Sequence, residues 1–117
     1  DTLAGTSEPE VLSACLKVLR KIGDPRSESL VAECLEHPAY FVRTQAARTL
    51  GSIGTSNVTE PLLEALKDPN WWVRYLAAES LVKLPSTTLP QLKADIATLN
   101  ELESRKALEA AVAEVDL

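Results

Sequence analysis

The amino-acid sequence predicts an all-α protein: a right-handed α-solenoid of helical hairpins with about three and a half repeats and seven helices. Three observations lead to this prediction: a self-similarity at an offset of 31 residues, an Ala- and Leu-rich composition, and apolar stripes at helical spacing. A gapless repeat is typical of a solenoid, whose units stack because none can bury its apolar face alone. The chain holds only two Trp, two Tyr and one Phe, which favours closely packed helices over a sheet.

The repeat appears when residues 22–50 are laid over residues 53–81. Identical residues occupy both members of the following pairs: Ile22/Ile53, Gly23/Gly54, Glu33/Glu64, Leu35/Leu66, Pro38/Pro69, Val42/Val73, Arg43/Arg74, Ala46/Ala77, Ala47/Ala78 and Leu50/Leu81. Within each unit a proline separates two apolar stripes, so each unit is expected to form an A helix, a turn and a B helix.

The predicted helices follow the order B, A, B, A, B, A, B. Their expected residues are 8–22, 25–36, 40–53, 57–67, 70–84, 88–99 and 101–116. The first is a B helix without an A partner, because the segment before Gly23 aligns with the B segment before Gly54. Both glycines follow a B stripe, where a left-handed glycine would end the helix.

We expect a single domain over residues 1–117, since 45% hydrophobic residues suffice for one continuous core. Its units are a half repeat at about 8–22, full repeats at 23–53 and 54–84, and a degenerate cap at 85–117. Degenerate sequence is typical of a capping repeat, whose outer face meets water. The chain starts at Asp1 and contains no methionine, so we expect it to be excised from a longer protein.

The charge balance bears on the class of partner. Twelve basic and 17 acidic residues give a net charge of −5, which disfavours nucleic acid and anionic lipid. No apolar run approaches the roughly 20 residues of a membrane span, and no secretory signal opens the chain, so membrane insertion is not expected. The compartment is left undetermined, with the cytoplasm slightly favoured.

Side chains that could carry catalysis or bind a metal are few. His37 is the only histidine, and neither cysteine has a ligand partner at metal-binding spacing. Cys15 and Cys34 stand one period before Ala46 and Ala65, so both thiols are expected to be buried and inert. We therefore predict no catalytic residue, no metal site and no cofactor.

The two central units resemble a known repeat family. The segments HPAYFVRTQAARTL and DPNWWVRYLAAESL, together with two Ile-Gly pairs, are similar to the short bacterial HEAT-like repeat of the phycobilisome-lyase type. The resemblance implies a HEAT-like solenoid. It also implies a structural ladder in which a loop aspartate and a B-helix arginine pair, within a unit or along the stack. Asp68 and Arg74 match this pattern, whereas Arg43 matches it with His37 in place of the aspartate.

Two pairs of adjacent aromatic residues lie one period apart, Tyr40-Phe41 and Trp71-Trp72. Neighbours on a helix differ by about 100° in direction, so one ring of each pair should be exposed. The resemblance implies that the first ring of each pair is packed, which leaves Phe41 and Trp72 facing solvent.

These observations favour a non-catalytic scaffold that binds a protein or peptide partner along its helical-repeat surface. The candidate partner-binding residues are Phe41, Trp72, Tyr75, Arg48 and Glu79, with Lys17 and Thr44 on the same outward row of the B helices. The alternative is an accessory module of an enzyme resembling a bilin lyase subunit. That function would need an exposed reactive cysteine or a deep aromatic pocket.

Overall fold

A computed structural model describes residues 8–85 and 87–115 of the chain. Every regular element within these residues is helical, which confirms the all-α prediction. The α-helices in the described residues are α1 (Pro9–Ile22), α2 (Glu28–Glu33), α3 (Tyr40–Ile53), α4 (Thr59–Ala65), α5 (Trp71–Lys83), α6 (Leu89–Thr98) and α7 (Leu102–Val115). Residue 116, the expected end of the last helix, lies outside the described part.

The first two A helices are shorter than the sequence predicts. Helix α2 lies between two 3₁₀ turns, Pro25–Ser27 and Cys34–Glu36, and the 3₁₀ turn Ser56–Val58 precedes α4. Each of these two A segments begins at a capping side chain, because Asp24 accepts a hydrogen bond from the Arg26 N–H and Thr55 accepts one from the Asn57 N–H. Short 3₁₀ turns are common where a helix starts or ends.

The B helices α1, α3, α5 and α7 lie side by side in chain order, and each A helix packs on the B helix that follows it. This arrangement is an α-solenoid. Its core is formed where the stripes of successive helices meet. The largest fully buried side chains are Leu12, Leu16, Val31, Cys34, Val42, Thr49, Leu50, Leu62, Leu66, Val73, Leu81 and Leu108.

Buried hydroxyl groups join neighbouring B helices. The Thr49 hydroxyl donates to the Leu16 carbonyl oxygen at 3.0 Å, and the Ser80 hydroxyl donates to the Ala47 carbonyl oxygen at 2.6 Å. Thr49 and Ser80 are one period apart, as are their acceptors, so the same bond recurs at successive interfaces. Small side chains allow this close approach, and a Cβ atom added at Gly51 would lie 2.6 Å from the Ser80 oxygen.

The two glycines that follow the B stripes act differently. Gly23 has φ 72° and its N–H donates to the Leu19 carbonyl oxygen at 2.9 Å, so it ends α1 in the predicted left-handed conformation. Gly54 has φ −74° and ψ 152°, so the same prediction is wrong there. Gly54 is instead required for space, because an added Cβ atom would lie 2.6 Å from the Val58 side chain.

A carboxylate links the first A helix to the next repeat. Glu28 of α2 accepts hydrogen bonds from the Thr55 N–H at 2.8 Å, the Thr55 hydroxyl at 3.0 Å and the Asn57 amide at 3.1 Å. Partial burial by itself would raise the pKa of Glu28, but these hydrogen bonds outweigh it and lower the pKa. The contact holds the loop that begins the second repeat.

Candidate interaction surface

The arginine near the start of α3 binds two turns at once. The Arg43 Nε donates to Asp68 Oδ2 at 2.8 Å, and its Nη2 donates to Asp68 Oδ1 at 3.3 Å. Its Nη1 also donates to the carbonyl oxygens of His37 at 2.8 Å and Pro38 at 3.0 Å. The rigid fork of a guanidinium permits all these bonds together. Because the Arg43 and Asp68 side chains are 15% and 9% exposed, the ion pair is largely shielded from water.

Arg74 stands in the equivalent place but has a different carboxylate partner. Its Nη1 donates to the carbonyl oxygens of Asp68 at 2.9 Å and Pro69 at 3.2 Å, as Arg43 does in its own turn. Its Nη2 lies 3.7 Å from an oxygen of Glu103, a side chain that is 62% exposed. The Asp68 carboxylate therefore pairs along the stack, with Arg43 of the preceding repeat, while Arg74 contacts its main chain.

The aromatic pairs do not face as the resemblance implies. Tyr40 is 52% exposed, whereas Phe41 is half-buried against the core, so the expectation for the first pair is wrong. In the second pair Trp72 is exposed as predicted, but Trp71 is 55% exposed as well. Tyr40, Trp71 and Leu102 are the first residues of three successive B helices. All three are exposed, so they form a row of large apolar side chains across the repeats.

Three rings on α5 form an aromatic cluster, defined here as Trp71, Trp72 and Tyr75. The Trp71 and Tyr75 rings are stacked at 5.5 Å, while Trp72 meets Trp71 edge-on at 4.7 Å and Tyr75 at 5.8 Å. A hydrogen bond to the Glu79 carboxylate raises the pKa of the Tyr75 hydroxyl. Since the rings touch one another, they present one contiguous aromatic surface.

The remaining residues of the predicted row are placed unequally. Arg48 and Lys17 are exposed, on α3 and α1. Thr44 is only 8% exposed and its hydroxyl donates to the Phe41 carbonyl oxygen at 2.9 Å, so the expectation that it faces outward is wrong. A short side chain that bonds its own helix cannot extend to a partner. Glu79 is half-buried beside Tyr75.

A second arginine, Arg20, is not among the predicted surface residues, yet its side chain contacts the helix that carries Arg48. Arg20 of α1 reaches across to α3, where its Nη1 donates to Gln45 Oε1 at 2.9 Å. Partial burial and then the neighbouring Arg48 charge lower the pKa of Arg20. These two arginines, called here the basic pair, therefore concentrate positive charge where α1 meets α3. Only the positions of helices α1 and α3 bring them together.

The two thiols differ in their surroundings. Cys34 is fully buried, and burial followed by the nearby Glu33 charge raises the pKa of its thiol. Cys15 is only half-buried and lines an apolar groove of about 480 Å³ with Val18 and Leu30. Burial is thus confirmed for Cys34 and wrong for Cys15, because the groove between α1 and the first A segment leaves the Cys15 side chain partly open to solvent.

Over 8–85 and 87–115, no three His, Cys, Asp or Glu side chains come close enough to hold a metal ion. Within the same residues, no helix combines the length and the apolar character needed to cross a lipid bilayer.

Stacked helical hairpins with an equivalent arginine near the start of successive B helices define a helical-repeat protein. A family model described as HEAT repeats matches residues 1–82 and also residues 27–113, so the chain belongs to the HEAT-repeat family. Members of this family are generally scaffolds for protein interactions and are typically not enzymes. No individual curated protein matches the chain. The finer resemblance to the phycobilisome-lyase type stays a prediction.

Proposed function

We propose that this protein is a non-catalytic scaffold that binds a protein or peptide partner along its B helices, with the aromatic cluster as the anchor. The observation that carries the proposal is the exposure of adjacent large rings on α5, 55% for Trp71 and 49% for Trp72. Exposed contiguous apolar surface commonly marks an interaction site, and Trp and Tyr are the residue types most enriched among binding hot spots.

The packing of the cluster supports the same proposal. Each ring contacts the other two, so their positions are held before a partner arrives. An anchor that is already ordered loses little side-chain entropy on binding. Tyr75 packs against the core and supports the cluster from below, whereas Trp71 and Trp72 are exposed.

The proposed surface extends from the cluster to its neighbours on the B helices. Arg48 would contribute a charge, Glu79 would hold the Tyr75 hydroxyl, and Phe41 would support the exposed ring of Tyr40, which it meets edge-on at 5.9 Å. A net charge of −5 argues against a polyanionic partner and in favour of a specific protein surface.

The bilin-lyase alternative has less support. It requires an exposed reactive thiol or a deep aromatic pocket, but Cys34 is fully buried and the rings of the cluster contact one another, with Trp71 and Trp72 exposed on the surface. Cys15 lines a groove whose lining residues include no charged side chain and no aromatic ring.

The test compares Trp72→Ala with the matched control Ile22→Ala, which removes a side chain that is 65% exposed and lies far from the cluster. Proteins captured from an extract of the source organism are quantified for both variants and the parent. A partner retained by the parent and the control should bind Trp72→Ala about 30-fold more weakly, the usual effect of a hot spot. Equal capture by all three proteins would contradict the proposal.

A further inference from the structure

Two chemically different features share the B-helix surface. One is the aromatic cluster on α5, which is apolar and ordered. The other is the basic pair: the Arg20 side chain crosses from α1 to bond Gln45 of α3, and Arg48 lies three residues, about one turn, further along α3. Arg48 is exposed, so its guanidinium is accessible to a ligand.

Like charges held together at a surface are unfavourable until an anion joins them. The bond from Arg20 to Gln45 keeps one guanidinium in place between α1 and α3. A guanidinium presents several N–H groups in one plane and matches a carboxylate with two parallel hydrogen bonds. The basic pair is therefore a complementary site for a carboxylate on a partner.

The distance between the two features follows from helix geometry. Arg48 is equivalent to Glu79 of α5, which lies one helical turn beyond Tyr75. Four residues of helix rise about 6 Å and packed helices are separated by about 8 to 10 Å, so ideal geometry places the Cα atoms of Arg48 and Tyr75 about 11 Å apart. An extended peptide covers that distance in about three residues.

From this placement we infer that the partner segment is an extended peptide with an apolar anchor residue on the aromatic cluster and an Asp or Glu three to four residues away on the basic pair. The inference rests on the proposed function, because it assumes that the cluster is an anchor. Charge complementarity at Arg20 and Arg48 selects the acidic residue, and the exposed rings select the apolar one.

The experiment selects random twelve-residue peptides, displayed on phage, with the whole chain as the target. We expect enriched peptides to share an apolar residue separated by three or four positions from Asp or Glu, in either chain direction. The consensus peptide is then synthesised and titrated while tryptophan fluorescence is followed. Arg48→Glu should weaken its binding at least tenfold, and Lys93→Glu, an equal charge change on α6, should leave the binding unchanged.

A charge swap completes the test. A peptide with Lys or Arg in place of the acidic residue should regain affinity for Arg48→Glu. If enriched peptides bind Trp72→Ala more weakly but bind Arg48→Glu with the parent's affinity, the inference fails and the proposed function stands. If no enriched peptide depends on Trp72, both fail together.

Discussion

At the scale of single residues, sequence equivalence does not ensure structural equivalence. Cys15 and Cys34 both stand where a later unit has a buried alanine, yet only Cys34 is enclosed. The turn that begins at Cys34 packs against α3, while Cys15 lines a groove between α1 and the first A segment. Burial depends on what covers a position, which a local sequence pattern does not report.

The thiols should therefore react at different rates. In native protein, a thiol reagent such as an aromatic disulfide should modify Cys15 within minutes and leave Cys34 unmodified, because burial raises the pKa of Cys34 and blocks access. Full unfolding should expose both. Cys15→Ala, used as the control, should show no rapid phase. A rapid phase that persists in this variant would contradict the described burial of Cys34.

Gly51 allows α3 to approach α5. Gly51→Ala should lower the free energy of unfolding by about 1 kcal/mol, because overpacking against Ser80 exceeds the gain in helix propensity. In a Ser80→Ala background the nearest atom is missing, so the same change should cost little. Urea denaturation of the parent, the two single variants and the double variant measures the coupling energy between positions 51 and 80. An equal effect in both backgrounds would show that the helices are farther apart.

At the scale of elements, neighbouring repeats are joined by polar contacts of unequal strength. Arg43 and Asp68 form a shielded pair with two hydrogen bonds, whereas Arg74 and Glu103 form an open one at 3.7 Å. The ion pair at this arginine position thus contributes differently to the free energy of unfolding in successive repeats, because the carboxylates come from different parts of the next unit.

Asp68→Asn should consequently destabilise the protein more than Glu103→Gln. We expect a loss of about 2 to 3 kcal/mol for the shielded pair, since an unpaired guanidinium remains, and below about 1 kcal/mol for the exposed pair. Chemical denaturation at low and high salt checks both values, and only the exposed pair should weaken with salt. Similar losses for the two variants would place the pairs in similar environments.

The contact between Glu28 and the Thr55 loop should make stability depend on pH. The pKa of Glu28 is lowered in the folded state, so its contribution is complete above the unfolded value near 4.5 and is lost as pH falls through the folded pKa. Glu28→Gln should cost about 1 kcal/mol at pH 7 and progressively less below about pH 4.5. A difference between parent and variant that stays constant down to pH 3 would exclude this role.

At the scale of the whole molecule, stability is expected to vary along the stack, because each repeat contacts only its neighbours. Helix α5 has partners on several sides and buries Val73, Leu76, Ala77, Ala78, Ser80 and Leu81. Helix α6 lies in the degenerate last unit, and Leu92 is the residue of that helix that is buried. The division into repeats at 8–22, 23–53, 54–84 and 85–117 stays a prediction.

Amide hydrogen exchange should reveal this gradient. Under native conditions the amides of α6 should exchange at least about tenfold faster than those of α3 and α5, because opening α6 exposes less apolar surface. Mass spectrometry of peptides from each helix makes the measurement. Equal protection of α5 and α6 would mean that the stack opens as one unit.

The sequence by itself determined the helical-repeat fold, the order of A and B helices and the buried faces of the B helices. It could do so because the 31-residue period and the apolar stripes are local patterns that each unit repeats. The exposure of at least one ring in each aromatic pair could also be predicted, since adjacent rings cannot both turn inward. The paired hydroxyls Thr49 and Ser80 carry a signal too, although chemical similarity rather than identity reveals it.

Tertiary structure alone decided which rings of the two pairs are exposed, which arginine Asp68 binds, and that Arg20 contacts the helix that carries Arg48. These features depend on the rotation of each helix about its axis and on its offset from the neighbouring helix. The sequence of a single repeat determines neither the rotation nor the offset. Both follow from how the side chains of successive repeats fill the space between the helices.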